Sequence, residues 1–344
     1  MTEVVPLLSV KNLEVSFAAD SGTVKAVRNI SFSINRGETL AVVGESGCGK
    51  SVTVQSVMGL LSSPPANISA SEIKLKDQNI LSSTRINGKD IRGNEIGMIF
   101  QDPMTSLNPT MKIGNQVAET LIVHRGLSRK AAQLRAIELL DLVKIPEPAK
   151  RARQYPFEFS GGMLQRAMIA MSIACEPKLL IADEPTTALD VTIQAEILEL
   201  LKDLQASNGM SIILITHDLA VVAKMADRVL VMYAGKIVEE GSCDDIFYRS
   251  AHPYTIGLKS AMPRNQRGTH IDLLPIDGSP PDLYNPPVGC GYAERCSHRM
   301  EICLSDQPNR FPIMDDHQSE CWLHHSDNPQ KIDGMFYSTS KNDR

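Results

Sequence analysis

The sequence predicts an α/β fold that carries a small antiparallel β subdomain and an inserted helical subdomain. Three patterns point to it. Short β-branched and apolar runs recur at residues 39–43, 178–183, 211–216 and 228–233, and segments of helical length separate them. Residues 7–34 instead alternate apolar and polar side chains around Ala19-Asp20-Ser21-Gly22, as antiparallel strands with one solvated face do. From Asp102 to Phe159 the strand signal fades and helix formers dominate, most evenly over 129–143, where Ala, Leu, Arg and Glu fall at helical spacing.

Residues 263–287 are rich in Pro, Gly and Asp, have little periodicity and read as a linker. Beyond it, four of the seven cysteines, Cys290, Cys296, Cys303 and Cys321, crowd into the tail. The expected division is a first domain over 1–262, with the helical subdomain at about 102–176, and an extension over 263–344. Residues after Trp322 are polar and are expected to be disordered.

A chain of 344 residues with 42% hydrophobic content can bury a full-sized core. Its net charge of -5 lacks the basic balance of a dedicated nucleic-acid binder, so no nucleic-acid partner is expected. The start, MTEVVPLLSV, has no basic n-region, apolar core or cleavage site of a secretory signal, which places the expected location in the cytosol. The longest apolar run, 167–175, falls short of the about 18 to 20 residues that span a bilayer. Membrane contact is therefore expected through a partner.

Gly44-Glu45-Ser46-Gly47-Cys48-Gly49-Lys50-Ser51 fits G-x-x-x-x-G-K-[ST] and stands between a predicted strand and a predicted helix. Glycines let backbone N–H groups turn inward around phosphate oxygens. The helix N-terminus adds positive potential, Lys50 neutralises the β- and γ-phosphates, and Ser51 can ligate Mg²⁺. Together with Val52, this run supplies the expected ATP-binding set in Gly44, Ser46, Gly47, Cys48, Gly49, Lys50 and Ser51. Downstream, the strand KLLIADE ends in Asp183 and Glu184: the first suits Mg²⁺ through its water shell, the second can polarise an attacking water.

Phe159-Ser160-Gly161-Gly162-Met163, followed by Gln165 and Arg166, resembles the signature segment of ABC ATPases. Ser160 can cap a helix whose free N–H groups face an anion. The resemblance covers residue 7 to about 241 and implies an ABC-type P-loop ATPase with a RecA-like core. It implies that Phe17 stacks on adenine, that Gln101 senses Mg²⁺ and the attacking water, and that His217 contacts the γ-phosphate. Ser160, Gly161, Gly162 and Asp190, in Ala188-Leu189-Asp190, would act in trans on ATP held by a second subunit. Phe159 and Met163 depart from the usual Leu-Ser-Gly-Gly-Gln, and Leu164 stands where close relatives often have Arg.

Gln101-Asp102-Pro103-Met104-Thr105-Ser106-Leu107-Asn108-Pro109 and His252-Pro253-Tyr254-Thr255 resemble segments of ATP-binding subunits of bacterial peptide and nickel importers. The Met-Thr of the first resembles the D-lettered subunit. The resemblance implies peptide import at the cytoplasmic face of the inner membrane, with nickel cargo as the alternative. It also implies as partners an F-lettered second ATPase, two permease subunits and an extracytoplasmic binding protein. The tail spacing, C-x5-C-x6-C-x17-C, is compatible with a [4Fe–4S] cluster, tetrahedral zinc or no metal. Importer subunits of this kind carry a similar quartet that holds an iron–sulfur cluster, and the resemblance implies one at Cys290, Cys296, Cys303 and Cys321. A soluble ABC protein acting on ribosomes or DNA fits less well, because such chains carry paired ATPase units or long coiled coils.

Overall fold

The computed structural model describes residues 5–20, 22–76, 78–80, 91–187, 189–261 and 276–328. Ser21 of the opening turn, Ala188, residues 263–275 of the expected linker and the stretch after 328 lie outside the described residues.

Two long strands, β1 (Leu8–Ala19) and β2 (Gly22–Ile34), pair antiparallel, as their alternation requires. Leu8, Val10, Leu13 and Val15 of β1 point inward, and the residues between them are mostly wetter. The chain continues through β3 (Thr39–Val43) into α1 (Lys50–Val57), then β4 (Ala66–Ser69), β5 (Glu72–Leu75) and β6 (Gln78–Asn79). The first sheet runs β2-β1-β5-β6, with β4 also paired to β1.

After β7 (Ile96–Ile99) the chain turns helical: α2 (Pro103–Ser106), α3 (Ile113–Arg125), α4 (Arg129–Leu142), α5 (Pro148–Arg151) and α6 (Gly161–Ile173). Local chemistry sets the boundaries. Ser128 accepts from the N–H of Ala131 and starts α4, whereas α3 stops at Gly126, which takes the left-handed φ of 63°. Val117, Leu121, Leu139, Leu140, Leu164 and Met168 form part of one buried cluster that joins this helical layer to the sheet. Fully burying each such side chain stabilises by roughly 1.5–3 kcal/mol.

The remaining elements are β8 (Leu179–Asp183), α7 (Val191–Asn208), β9 (Ser211–Ile215), α8 (Leu219–Met225), β10 (Arg228–Tyr233), β11 (Lys236–Ser242), α9 (Cys243–Tyr248) and α10 (Pro253–Ser260). In the tail, α11 (Ile302–Ser305) precedes β12 (Phe311–Met314) and β13 (His317–Ser319). The second sheet has the order β12-β13-β11-β10-β3-β9-β8-β7. Its neighbours from β10 to β7 are parallel, and β11, β13 and β12 extend it antiparallel. Every residue of β3, β8 and β9 is buried, which is why these strands read as unbroken apolar runs.

The tail departs from expectation. Its β13 pairs with β11, so residues 317–319 belong to the core sheet. Trp322–His324 form a 3-10 turn, and the Trp322 indole N–H donates to Asp306 O at 2.9 Å, so order continues past Trp322 as far as the described residues reach. Among the described residues no helix is long and apolar enough to cross a membrane.

Candidate active site

The central strand β3 delivers the chain into the phosphate loop. Gly44 has a φ of 152°, and a Cβ there would lie 2.2 Å from Met232 O. A Cβ on Gly49, at φ 102°, would lie 2.4 Å from Ala26 O. Only glycine lets the loop pass between β10 and β2 at this closeness. Lys50 is buried, and its ammonium donates to Gly44 O at 2.8 Å and Glu45 O at 3.0 Å, bracing the loop's own backbone. Ser51 stands on the first turn of α1, with Val52 packed beneath it.

The parallel strands next to β3 end at the same side of the sheet and bring the other candidates there. Asp183 closes β8 and accepts from the Ser51 hydroxyl at 2.9 Å. Burial pushes its carboxyl up, against the opposing pull of that hydrogen bond. Glu184 follows in the left-handed region, at φ 48°, with its N–H on Ile215 O. Its Oε2 accepts from Gln101 Nε2 at 3.0 Å and from the Thr187 hydroxyl at 2.9 Å. Its Oε1 lies 3.2 Å from His217 Nδ1, just beyond β9. Burial works against ionisation of Glu184, but Thr187 and His217 outweigh it and hold the carboxyl below its ordinary value. Sequence reading passed over Thr187; its signal is the Glu184-Pro185-Thr186-Thr187 turn itself.

Phe17, Ser160, Gly161, Gly162 and Asp190 make no hydrogen bond to this group. Phe17 is half-buried on β1, packed against the cluster that also holds Val54 and Met58. Ser160 caps α6, accepting from the Met163 N–H at 3.4 Å, and Asp190 caps α7, accepting from Ile193 N–H at 3.0 Å. A Cβ on Gly161 would meet open space, whereas one on Gly162 would lie 3.0 Å from Ile193.

Residues 27–187 match the ABC transporter family, and residues 238–303 match the oligopeptide/dipeptide transporter C-terminal region. The oligopeptide transport ATP-binding protein OppD of Bacillus subtilis is 54% identical over 330 residues, covering 96% of this chain and 92% of that protein. OppD of Escherichia coli is 50% identical over 302 residues, covering 88% and 89%. This chain belongs to the ATP-binding proteins of the oligopeptide/dipeptide ABC transporter family. A dimeric ATP-binding cassette bound to ADP and Pi matches its fold with a TM-score of 0.61 and 27% identity, covering 69% of this chain and 98% of that one. CbiO1 of Clostridium perfringens, part of an ABC transporter complex, matches with a TM-score of 0.59 and 30% identity, covering 70% and 90%.

In this ABC ATPase the departures from the usual signature serve packing. Phe159 is buried in the helical-layer core and Met163 packs against it, while Leu164 is also buried there. The loop carrying Ser160 and Gly161 stays exposed beside them.

The tail cysteines converge. Cys290, Cys296, Cys303 and Cys321 line one pocket together with His252, Tyr292, His298 and Trp322. Burial pushes the Cys290 thiol up to about 11 and raises Cys296 and Cys321, and the neighbouring cysteines add to each. Among the described residues, no three His, Cys, Asp or Glu side chains are placed to hold one metal ion.

The HPYT segment opens α10. His252 caps the helix, with Nδ1 accepting from the Tyr254 N–H at 3.0 Å, and Pro253 takes the first turn. The Tyr254 hydroxyl accepts from the Glu45 N–H at 2.8 Å, so this motif reaches the phosphate loop, a contact that sequence spacing could not reveal.

Proposed function

We propose that this chain binds and hydrolyses ATP to power import of di- or oligopeptides, working peripherally at the cytoplasmic face of the bacterial inner membrane. The observation that carries the reading is the pairing of Ser51 with Asp183 beside the pairing of Gln101 and His217 with Glu184, all at one end of the parallel strands. Peptide cargo is supported by the match of residues 238–303 to the oligopeptide/dipeptide transporter C-terminal region.

In this reading Gly44, Ser46, Gly47, Cys48, Gly49, Lys50, Ser51 and Val52 cradle the phosphates, and Phe17 stacks on adenine. Mg²⁺, when bound, would neutralise charge developing on the phosphates. Ser51, Asp183 and Gln101 would hold it. Glu184, kept ionised by Thr187 and His217, orients the attacking water. Ser160, Gly161, Gly162 and Asp190 serve the site of a second, F-type ATPase chain, and that chain serves this one. Exposed Gly161 and the absence of bonds from these residues to their own phosphate loop support the trans arrangement. The exposed Met104 segment at α2 is the surface offered to the permease pair, which receives cargo from an extracytoplasmic binding protein.

Residues 1–262 form the nucleotide-binding part in this reading, and 263–344 an extension whose Cys290, Cys296, Cys303 and Cys321 hold a [4Fe–4S] cluster. Iron and acid-labile sulfide in protein purified without oxygen test that assignment, and their loss on Cys303→Ala supports it. The function is tested by uptake of labelled di- and oligopeptides, with nickel in parallel, in cells carrying wild type or Glu184→Gln. The variant should lose peptide uptake and about 100-fold or more of ATP turnover. Peptide uptake that survives while nickel uptake fails would reassign the cargo, and unchanged turnover would remove Glu184 as the base.

A further inference from the structure

Behind the phosphate loop stands a buried cation that the reaction described above does not use. Arg295, between Cys290 and Cys296 in the tail, is 5% exposed at its side chain. Its guanidinium grips Glu45, the second residue of the phosphate loop, with Nη1 on Oε2 at 2.6 Å and Nη2 on Oε1 at 3.0 Å. The remaining donors are also used: Nε on Asp277 O at 2.8 Å, Nη2 on Ile276 O at 3.1 Å and Nη1 on the Tyr233 hydroxyl at 3.1 Å. The Tyr233 and Tyr292 rings lie 5.8 Å and 5.9 Å from the cation. A planar fork matched to a carboxylate fixes orientation as well as distance, which an ammonium could not do.

The same loop residue is held a second time through its backbone, where its N–H donates to Tyr254 Oη. Lys50 donates to Glu45 O at 3.0 Å. Glu45 is thus pinned at its carboxylate, its N–H and its carbonyl, and two of those three contacts come from beyond residue 250.

We propose that Arg295 is a positioning residue for the ATP reaction: from the cysteine-bearing tail it holds Glu45 and with it the phosphate loop, so that affinity for ATP depends on the tail. The inference rests on the ATP-hydrolysing reading and extends the nucleotide site past the cassette motifs. A loop whose N–H groups are already aimed at phosphate binds it without first being ordered. The side-chain partners of Arg295 are Glu45, Tyr233, Ile276 and Asp277 and none of the proposed catalytic residues, so its effect falls on binding rather than on the chemical step.

The test uses the full-length chain assembled in its transporter, with KM and kcat for ATP, and the affinity of the full-length chain for a fluorescent ATP analogue. Arg295→Gln should weaken analogue binding and raise KM about tenfold or more, with kcat within about twofold. Arg295→Lys, which keeps the charge and loses the fork, should recover part of the loss. The double variant Glu45→Gln/Arg295→Gln should be no weaker than the weaker single variant, because both remove one contact.

Unchanged affinity in a folded Arg295→Gln, additive effects in the double variant, or a loss confined to kcat would each overturn the proposal. Should Arg295→Gln fail to fold, Glu45→Gln alone carries the test, with the same rise in KM expected and an unchanged KM overturning it. Failure of wild type itself to bind or hydrolyse ATP would instead refute the underlying ATPase reading.

Discussion

Asp183 and Glu184 are adjacent carboxyls whose proton affinities are driven apart. Burial raises the first, and donors converging on the second hold it down despite its own burial. Divergent neighbours of this kind let one group serve a cation and the other a water. Glu240 shows the same physics away from chemistry. Burial pushes its carboxyl up even though Arg310 at 3.3 Å and Arg228 at 3.6 Å oppose the shift. Its folded value lies above the unfolded one, so between the two the folded chain holds more protons. Glu240 therefore favours the folded state at acid pH, and that contribution is lost as pH rises through its folded value. Glu240→Gln should remove this increment: the wild-type minus variant difference in unfolding free energy should shrink as pH rises from the ordinary carboxylate value. A difference independent of pH would mean that Arg228 and Arg310 cancel the effect of burial, and one that grows with pH would mean that they keep the folded carboxylate ionised.

Among elements, α6 separates what a motif does for its own chain from what is proposed for it in trans. Ser160 caps it and Gly162 abuts Ile193, so both have local work. Gly161 has none, since a methyl there meets open space. Gly161→Ala should therefore leave the melting temperature within about 2 °C, a surface-sized change, while reducing ATP turnover about 100-fold by blocking the partner's phosphate. Equal activity in a folded variant would remove Gly161 from the trans site. Elements of this kind were legible to different degrees. β3 and β10 match the apolar runs end to end, because strands buried on both faces are apolar along nearly their whole length. β4, β5 and β7 went unread, being four residues each, and β7 carries Gly97 where a Cβ would lie 2.3 Å from Ser172 O. β13, His317-Gln318-Ser319, has no apolar residue to signal it and is held by pairing with β11 on one side and β12 on the other. The candidate group of Gln101, Asp183, Glu184 and His217 was legible as a set of neighbours, since each stands at or just past a strand end. Arg295 was not, as nothing in its local sequence points to a residue 250 positions earlier.

At the scale of the molecule, the boundary near residue 262 divides the sequence but not the contacts. Glu239 is buried and its carboxylate accepts from the N–H groups of Ala251 at 2.7 Å and His252 at 2.9 Å. Its Oε1 also lies 2.8 Å from His317 Nε2, supplied by the tail strand. Arg28 on β2 donates to Pro287 O at 3.0 Å, Lys25 N–H to Leu283 O at 2.9 Å, and Arg310 reaches Ser31 O at 3.1 Å. Tyr292 packs edge-on against Tyr233, with ring centres 5.3 Å apart. A chain ended at residue 262 would therefore strip partners from Glu45, Glu239 and Glu240 at once and bare the long edge of β11. Removing one partner from a buried charged pair costs up to about 3–5 kcal/mol, and an unpaired strand edge invites pairing between copies. The truncated chain should melt at least about 10 °C below the full chain and associate on concentration, as followed by scanning calorimetry and sedimentation. If it instead melts with the full chain and stays monodisperse, the cassette is autonomous and the crossing contacts contribute no net stability. That result would leave Arg295 free to act on nucleotide affinity alone, because loosening the phosphate loop need not loosen the sheet beneath it.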